Sequence, residues 1–146
     1  VEQWGNTRWT SFENAFAGAI NLRINAIDIP DLRDVQSMDN AFMGAFAMND
    51  DLSSWDVSNV TSMDSMFKNA SSFNQDISTW NVSNVRDMDE MFMQALSFDQ
   101  DLGNWVVFEN LCHFIKMNAK ASRSSDPCLN HLISKKPSTI SKQEKI

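Results

Sequence analysis

The strings "MNDDLSSWDVSNVTSMDSMF" (48–67) and "FNQDISTWNVSNVRDMDEMF" (73–92) are one phrase written twice, 25 residues apart, and "FDQDLGNWVV" (98–107) begins it a third time. Recurrence at a fixed interval of this size marks a stack of similar units, none of which can bury its apolar face alone. An offset of 25 aligns Trp55, Trp80 and Trp105, and with them Val60/Val85, Met63/Met88, Met66/Met91, Phe67/Phe92 and Phe73/Phe98. Leu52, Ile77 and Leu102 share a further column. One step back lie Pro30, Val35, Met38, Ala41 and Phe42, and one more step, of 26, reaches Trp4, Trp9, Phe12, Ala15 and Phe16.

Each unit divides into two halves. Met63, Met66 and Phe67 stand at i, i+3 and i+4, a spacing that predicts a helix of about two turns with one apolar stripe. Ser11, Ser37, Ser62 and Asp87 precede these stripes as candidate N-caps, and Asp87 with Glu90 has the spacing of a capping box. Glu13, Asp39, Asp64 and Asp89 follow where a helix dipole favours negative charge. The other half, "QDISTWNV", alternates and predicts a short half-buried strand. The expected fold is therefore α/β: a right-handed, leucine-rich-repeat-like solenoid of four to five coils over residues 1–107. One short strand and one short helix recur per 25 residues, with strands about 4.8 Å apart. Trp55, Trp80, Trp105, Phe67 and Phe92 are expected to be structural, facing inward. Asn59 and Asn84, with Asp34 in register, are expected to form a buried ladder that hydrogen-bonds turn backbone from coil to coil.

Beyond residue 107 the grammar degrades. Leu111, Phe114 and Ile115 keep the i, i+3, i+4 spacing, so a degenerate capping helix is expected at 108–120, followed by a flexible basic tail at 121–146. A truncated or frame-shifted end would produce the same abrupt change.

Charge follows the same division. Residues 1–107 hold 16 Asp/Glu against 5 Lys/Arg, a net charge of −11, and residues 108–146 hold 3 against 7. So acidic a body excludes nucleic acid as a partner, because phosphate binding needs clustered positive charge. No apolar run long enough to span a membrane occurs, and no export signal is legible at the start. With no Tyr beside 10 Phe, 9 Met and 5 Trp, the composition is that of a few templates copied repeatedly.

The words W-x-V-S-N-V and M-x-x-M-F, together with the opening "VEQWGNTRWTSFENAFAGAINLRINAIDIPDL", resemble the BspA-type leucine-rich-repeat surface proteins of bacteria. That resemblance covers residues 1–107. It implies a solenoid fold, a place on the cell surface or outside the cell, and adhesion to a host or neighbouring-cell surface or matrix protein. It brings no catalytic residues with it.

The residues themselves offer little chemistry. Both His (113, 131) and both Cys (112, 128) lie in the tail, so the repeats lack the usual general base and thiol nucleophile. The Cys/His spacing fits no zinc finger well; a Cys112–Cys128 disulfide and free thiols both remain open. Asp51, Asp76 and Asp101 recur in one column, which a template produces and an active site does not, so no enzyme is expected. The same column invites calcium, but Gly-rich calcium words and a twelve-residue loop are absent; no metal and no cofactor are expected. Asp50, Asp51, Asp76, Asp99 and Asp101 together form the candidate binding edge. "NVT" (59–61), "NAS" (69–71) and "NVS" (81–83) are formal glycosylation sites that the template explains as well. Two functions fit this sequence: a non-enzymatic binding module, or a structural spacer within a larger surface protein.

Overall fold

The computed structural model describes residues 1–108 and Leu111. Within them the units lie one on the next, joined by a regular ladder of backbone hydrogen bonds. The amides of Phe12, Asn14, Phe16 and Gly18 donate to the carbonyls of Ser37, Asp39, Ala41 and Met43 in the following unit. Met38, Asn40, Phe42 and Gly44 donate in turn to Ser62, Asp64, Met66 and Lys68. Met63, Ser65, Phe67 and Asn69 donate to Asp87, Asp89, Met91 and Met93. Every second amide thus points at the neighbouring unit.

The amides in between fold back three residues: Met66 onto Met63, Lys68 onto Ser65 and Ala70 onto Phe67. These segments are chains of overlapping four-residue turns, which corrects the expectation of a short helix in each unit. Among the described residues the chain forms no α-helix. The reason lies in the backbone angles. Asn14, Asn40, Ser65 and Glu90 have φ of 55°, 59°, 56° and 53°, and four residues on Gly18, Gly44, Asn69 and Gln94 have φ of 76°, 73°, 63° and 60°. An α-helix needs φ near −63° at every residue. The left-handed region costs an L-residue roughly 1–2 kcal/mol, which is why Asn and Gly prevail at these positions. The hydrogen bonds to the next unit offset that cost.

The expected caps therefore serve turns. Ser11, Ser37 and Asp87 accept the amides of Glu13, Asp39 and Asp89, two residues on, as in turns closed by a side chain. The Ser62 hydroxyl instead donates to Asp39, whose same oxygen also accepts the Asp64 amide. Glu90 closes no capping box; it pairs with Lys68 of the preceding unit.

The strand half is corrected too. Among the described residues there is no β-strand, only single-residue parallel bridges at Arg8–Asp31, Ser37–Ser62 and Ser62–Asp87. The Trp80 amide donates to the Ile77 carbonyl, so Ser78 and Thr79 sit in a turn where an extended run was expected. Inward alternation survives this bend: Ile77, Trp80 and Val82 are all buried.

One apolar core runs through the stack. Phe16, Phe42, Phe67 and Phe92 form a column of near-parallel rings with centroids 5.5–5.8 Å apart. Phe73 and Phe98 make a second column 5.8 Å apart, and each lies 4.2 Å from the first column's ring in its own unit. Met63, Met66 and Phe67 are completely shielded, as are Met88 and Met91. No helix among the described residues is long and apolar enough to cross a membrane.

One unit breaks the pattern. Pro30 stands in the Trp column and has no indole to fill it. Trp4 of the unit before and Trp55 of the unit after meet across the gap, edge to face, with centroids 5.4 Å apart. Ile27 shares a column with Leu52, Ile77 and Leu102, which are all buried, yet its own side chain is fully exposed.

Candidate functional site

The acidic residues singled out by the repeat fall into three adjacent columns. The Asn49 side-chain oxygen accepts the Asn74 amide at 2.8 Å, and the Asn74 side-chain oxygen accepts the Asp99 amide at 2.8 Å. The same two Asn oxygens receive the side-chain amides of Gln75 and Gln100, which also reach the Asn49 and Asn74 carbonyls. This ladder holds Asn49, Asn74 and Asp99 in register. Asp51, Asp76 and Asp101 follow two residues later in each unit and are exposed. The fold thus brings Asp51, Asp76, Asp99 and Asp101 onto one edge, with Asp50 beside them and less exposed.

Three of these carboxylates also shape the chain. Asp51, Asp76 and Asp101 each accept the amide two residues on, from Ser53, Ser78 and Gly103, at 2.8–2.9 Å. At Asp76 the Ser78 hydroxyl, and then its amide, hold the carboxyl below the ordinary aspartate value. Each turn bond occupies one oxygen of its carboxylate, which leaves the other for a further donor.

What sets this edge apart is that no base among the described residues forms an ion pair with it. Among the described residues the ion pairs are Arg8–Asp34, Arg33–Asp31 and Lys68–Glu90. Arg23 reaches the Ala47 carbonyl, and Arg86 lies 4.0 Å over the Phe108 ring. None of them engages Asp50, Asp51, Asp76, Asp99 or Asp101. The same residues form no group of three or more side chains able to hold a metal ion.

The residues expected to be structural are placed as follows. Trp55, Trp80 and Trp105 are buried, and the indole N–H groups of Trp80 and Trp105 donate to the carbonyls of Leu52 and Ile77, each at 3.0 Å. Phe67 and Phe92 stack on each other inside the core. Asn59 and Asn84 do bond backbone one unit back, at Arg33 and Ser58, but both lie at the surface, which corrects the buried ladder. Asp34 takes no such role and pairs with Arg8. Sequence reasoning missed the ladder of Asn49 and Asn74, although the recurrence of Asn49/Asn74 beside Gln75/Gln100 was a legible signal. The Cys112–Cys128 disulfide, the zinc alternative, the cap at 108–120 and the tail at 121–146 concern residues outside the described ones, apart from Phe108 and Leu111. Leu111 is buried and donates its amide to the Phe108 carbonyl.

These features define a protein of stacked 25-residue units with an acidic edge that no base among the described residues pairs with. Residues 10–131 match the family described as "Mycoplasma protein of unknown function, DUF285", and the chain belongs to that family. The match runs past residue 107, where the repeat pattern fades. Neither a curated protein nor a solved structure matches the chain.

Proposed function

We propose that this chain is a non-enzymatic binding module, a leucine-rich-repeat-like solenoid of the BspA type, displayed on the cell surface or secreted. It recognises a basic patch on a host, neighbouring-cell or matrix protein. The observation that carries this reading is the edge of Asp51, Asp76, Asp99 and Asp101, exposed, in register and without an ion-pair partner among the described residues. Like charges aligned in this way add their fields, and the net negative charge extends the attraction to basic surfaces while repelling nucleic acid. Repetition sums weak contacts along a partner, as multivalent attachment does.

A second reading, a structural spacer, draws on the turn-forming bonds of Asp51, Asp76 and Asp101: a carboxylate needed to close a turn recurs whether or not anything binds it. A pull-down against surface and matrix proteins at low and high salt separates the two, run beside a variant carrying Asp76→Asn and Asp101→Asn. Asn still closes the turn, so the fold is kept while the charge is lost. Binding that weakens with salt and in the variant supports the module. Binding indifferent to both, or none at all, favours the spacer.

A further inference from the structure

Successive units share one backbone ladder but not one side-chain closure. Ser37 and Ser62 form a parallel bridge, and so do Ser62 and Asp87; the Met38 amide reaches the Ser62 carbonyl as the Met63 amide reaches the Asp87 carbonyl. A step of 25 carries Asp39 to Asp64 and Ser62 to Asp87, so the two junctions compare residue by residue. Between the second and third units Asp39 acts as a clasp. One of its oxygens accepts both the Ser62 hydroxyl and the Asp64 amide of the unit that follows. Between the third and fourth units neither donor is offered to Asp64. Asp87 replaces the serine and brings no hydroxyl, and it takes the Asp89 amide for its own turn. Among the described residues Asp64 is left with the hydroxyl of its neighbour Ser65.

The charged groups that face Asp64 are all carboxylates: Asp39 from the unit before, Asp87 and Asp89 from the unit after. Lys68, four residues on, is committed to Glu90. Two facing carboxylates resist being charged together, and one proton between them turns repulsion into a hydrogen bond. Asp64 is the half-buried member of the pair and Asp87 the exposed one, so the proton belongs on Asp64. The direction of its titration agrees: burial first, and then Asp87, Asp39 and Asp89, push the Asp64 carboxyl up against the opposing Ser65 hydroxyl. We infer that the third and fourth units are joined by a proton-dependent clasp, in which the protonated Asp64 carboxyl donates to the Asp87 carboxylate. It copies the bond between Ser62 and Asp39 with the direction reversed, since the earlier unit now gives the proton. As pH rises the proton leaves Asp64 for solvent, the bond is lost and the like charges repel. This junction is firmer in mild acid than at neutral pH, whereas the one before it, closed by a hydroxyl, needs no proton from solvent.

Asp87→Ser tests the clasp without threatening the turn, because Ser11 and Ser37 accept the amide two residues on at the same position. The Asp64 carboxyl carbon of the full chain is followed by NMR through a pH titration. Taking away the Asp87 charge and supplying a hydroxyl should lower the pH at which Asp64 titrates. An unchanged midpoint would assign its behaviour to burial alone and overturn the inference. Amide hydrogen exchange, corrected for the intrinsic rate at each pH, gives the second reading. Protection of Met63, Ser65, Phe67 and Asn69, whose amides cross this junction, is compared with that of Met38, Asn40, Phe42 and Gly44, whose amides cross the one before. The ratio should rise about fivefold between pH 7 and about pH 4, the scale of one hydrogen bond gained. In Asp87→Ser it should stay constant with pH. A ratio flat in the parent chain, or equally steep in the variant, would also overturn the inference.

Discussion

Phe67 shows how much one side chain carries in a stack. It lies between Phe42 and Phe92 at 5.5 and 5.7 Å and against Phe73 at 4.2 Å, with no surface exposed. Truncation leaves a cavity shared by three units, so Phe67→Ala should lower stability by about 3–5 kcal/mol in denaturant unfolding. Gln94 tests the backbone instead. Its φ of 60° places it in the column of Gly18 and Gly44, and its side chain is exposed. Gln94→Gly should therefore raise stability by about 1 kcal/mol by relieving the left-handed residue. In a helix the same change would lower it by about 1 kcal/mol, so the sign of the effect in thermal melts distinguishes the two backbones. Burial at these positions was legible from the recurring columns. The backbone was not, because the i, i+3, i+4 spacing of Met63, Met66 and Phe67 suits overlapping turns as well as a helix. The contrary signal was present: Asn14, Gly18, Asn40, Gly44 and Asn69 are residues that a helix interior disfavours.

At the scale of the repeating element, acidic residues near the turn chain are not equivalent. Burial, the largest influence, pushes the Asp64 carboxyl above its ordinary value; the Ser65 hydroxyl opposes this, and Asp87, Asp39 and Asp89 add to the rise. A carboxyl whose folded pKa lies above its unfolded value of 3.8 is ionised at neutral pH against the native state's preference. Its contribution to stability falls as pH rises through that window. Asp64→Asn should consequently raise the melting temperature at pH 7, with the gain closing as pH falls towards 3.8; a gain that persists unchanged at pH 3 would contradict this. The caps and ladders of the element were partly legible. Ser11, Ser37 and Asp87 were recognisable as caps because a side-chain oxygen two residues before an amide serves a turn as readily as a helix. The acidic edge was legible for the same periodic reason, and the contact of Trp4 with Trp55 was not. That Pro30 lacks an indole is plain in the sequence, but that Trp4 and Trp55 meet edge to face across that unit depends on packing in three dimensions.

Across the described residues more carboxyls are lowered than raised. Asp28 is lowered chiefly by the Trp4 and Gly5 amides, Asp31 by the Arg33 side chain, and Asp56 and Asp76 by Ser58 and Ser78. Stability from these four is present above the unfolded value and is lost as pH falls through their lowered folded values; among the described residues Asp64 acts in the opposite sense. Melting temperature should thus decline steadily below about pH 4. The stack depends on its turn segments, which lend every second amide to the next unit. Scalar couplings across hydrogen bonds, measured by NMR, test it without inference from stability. The expected couplings join the amide nitrogens of Met63, Ser65, Phe67 and Asn69 to the carbonyl carbons of Asp87, Asp89, Met91 and Met93. Couplings from Phe67 to Met63 and from Asn69 to Ser65, the pattern of a helix, would contradict it.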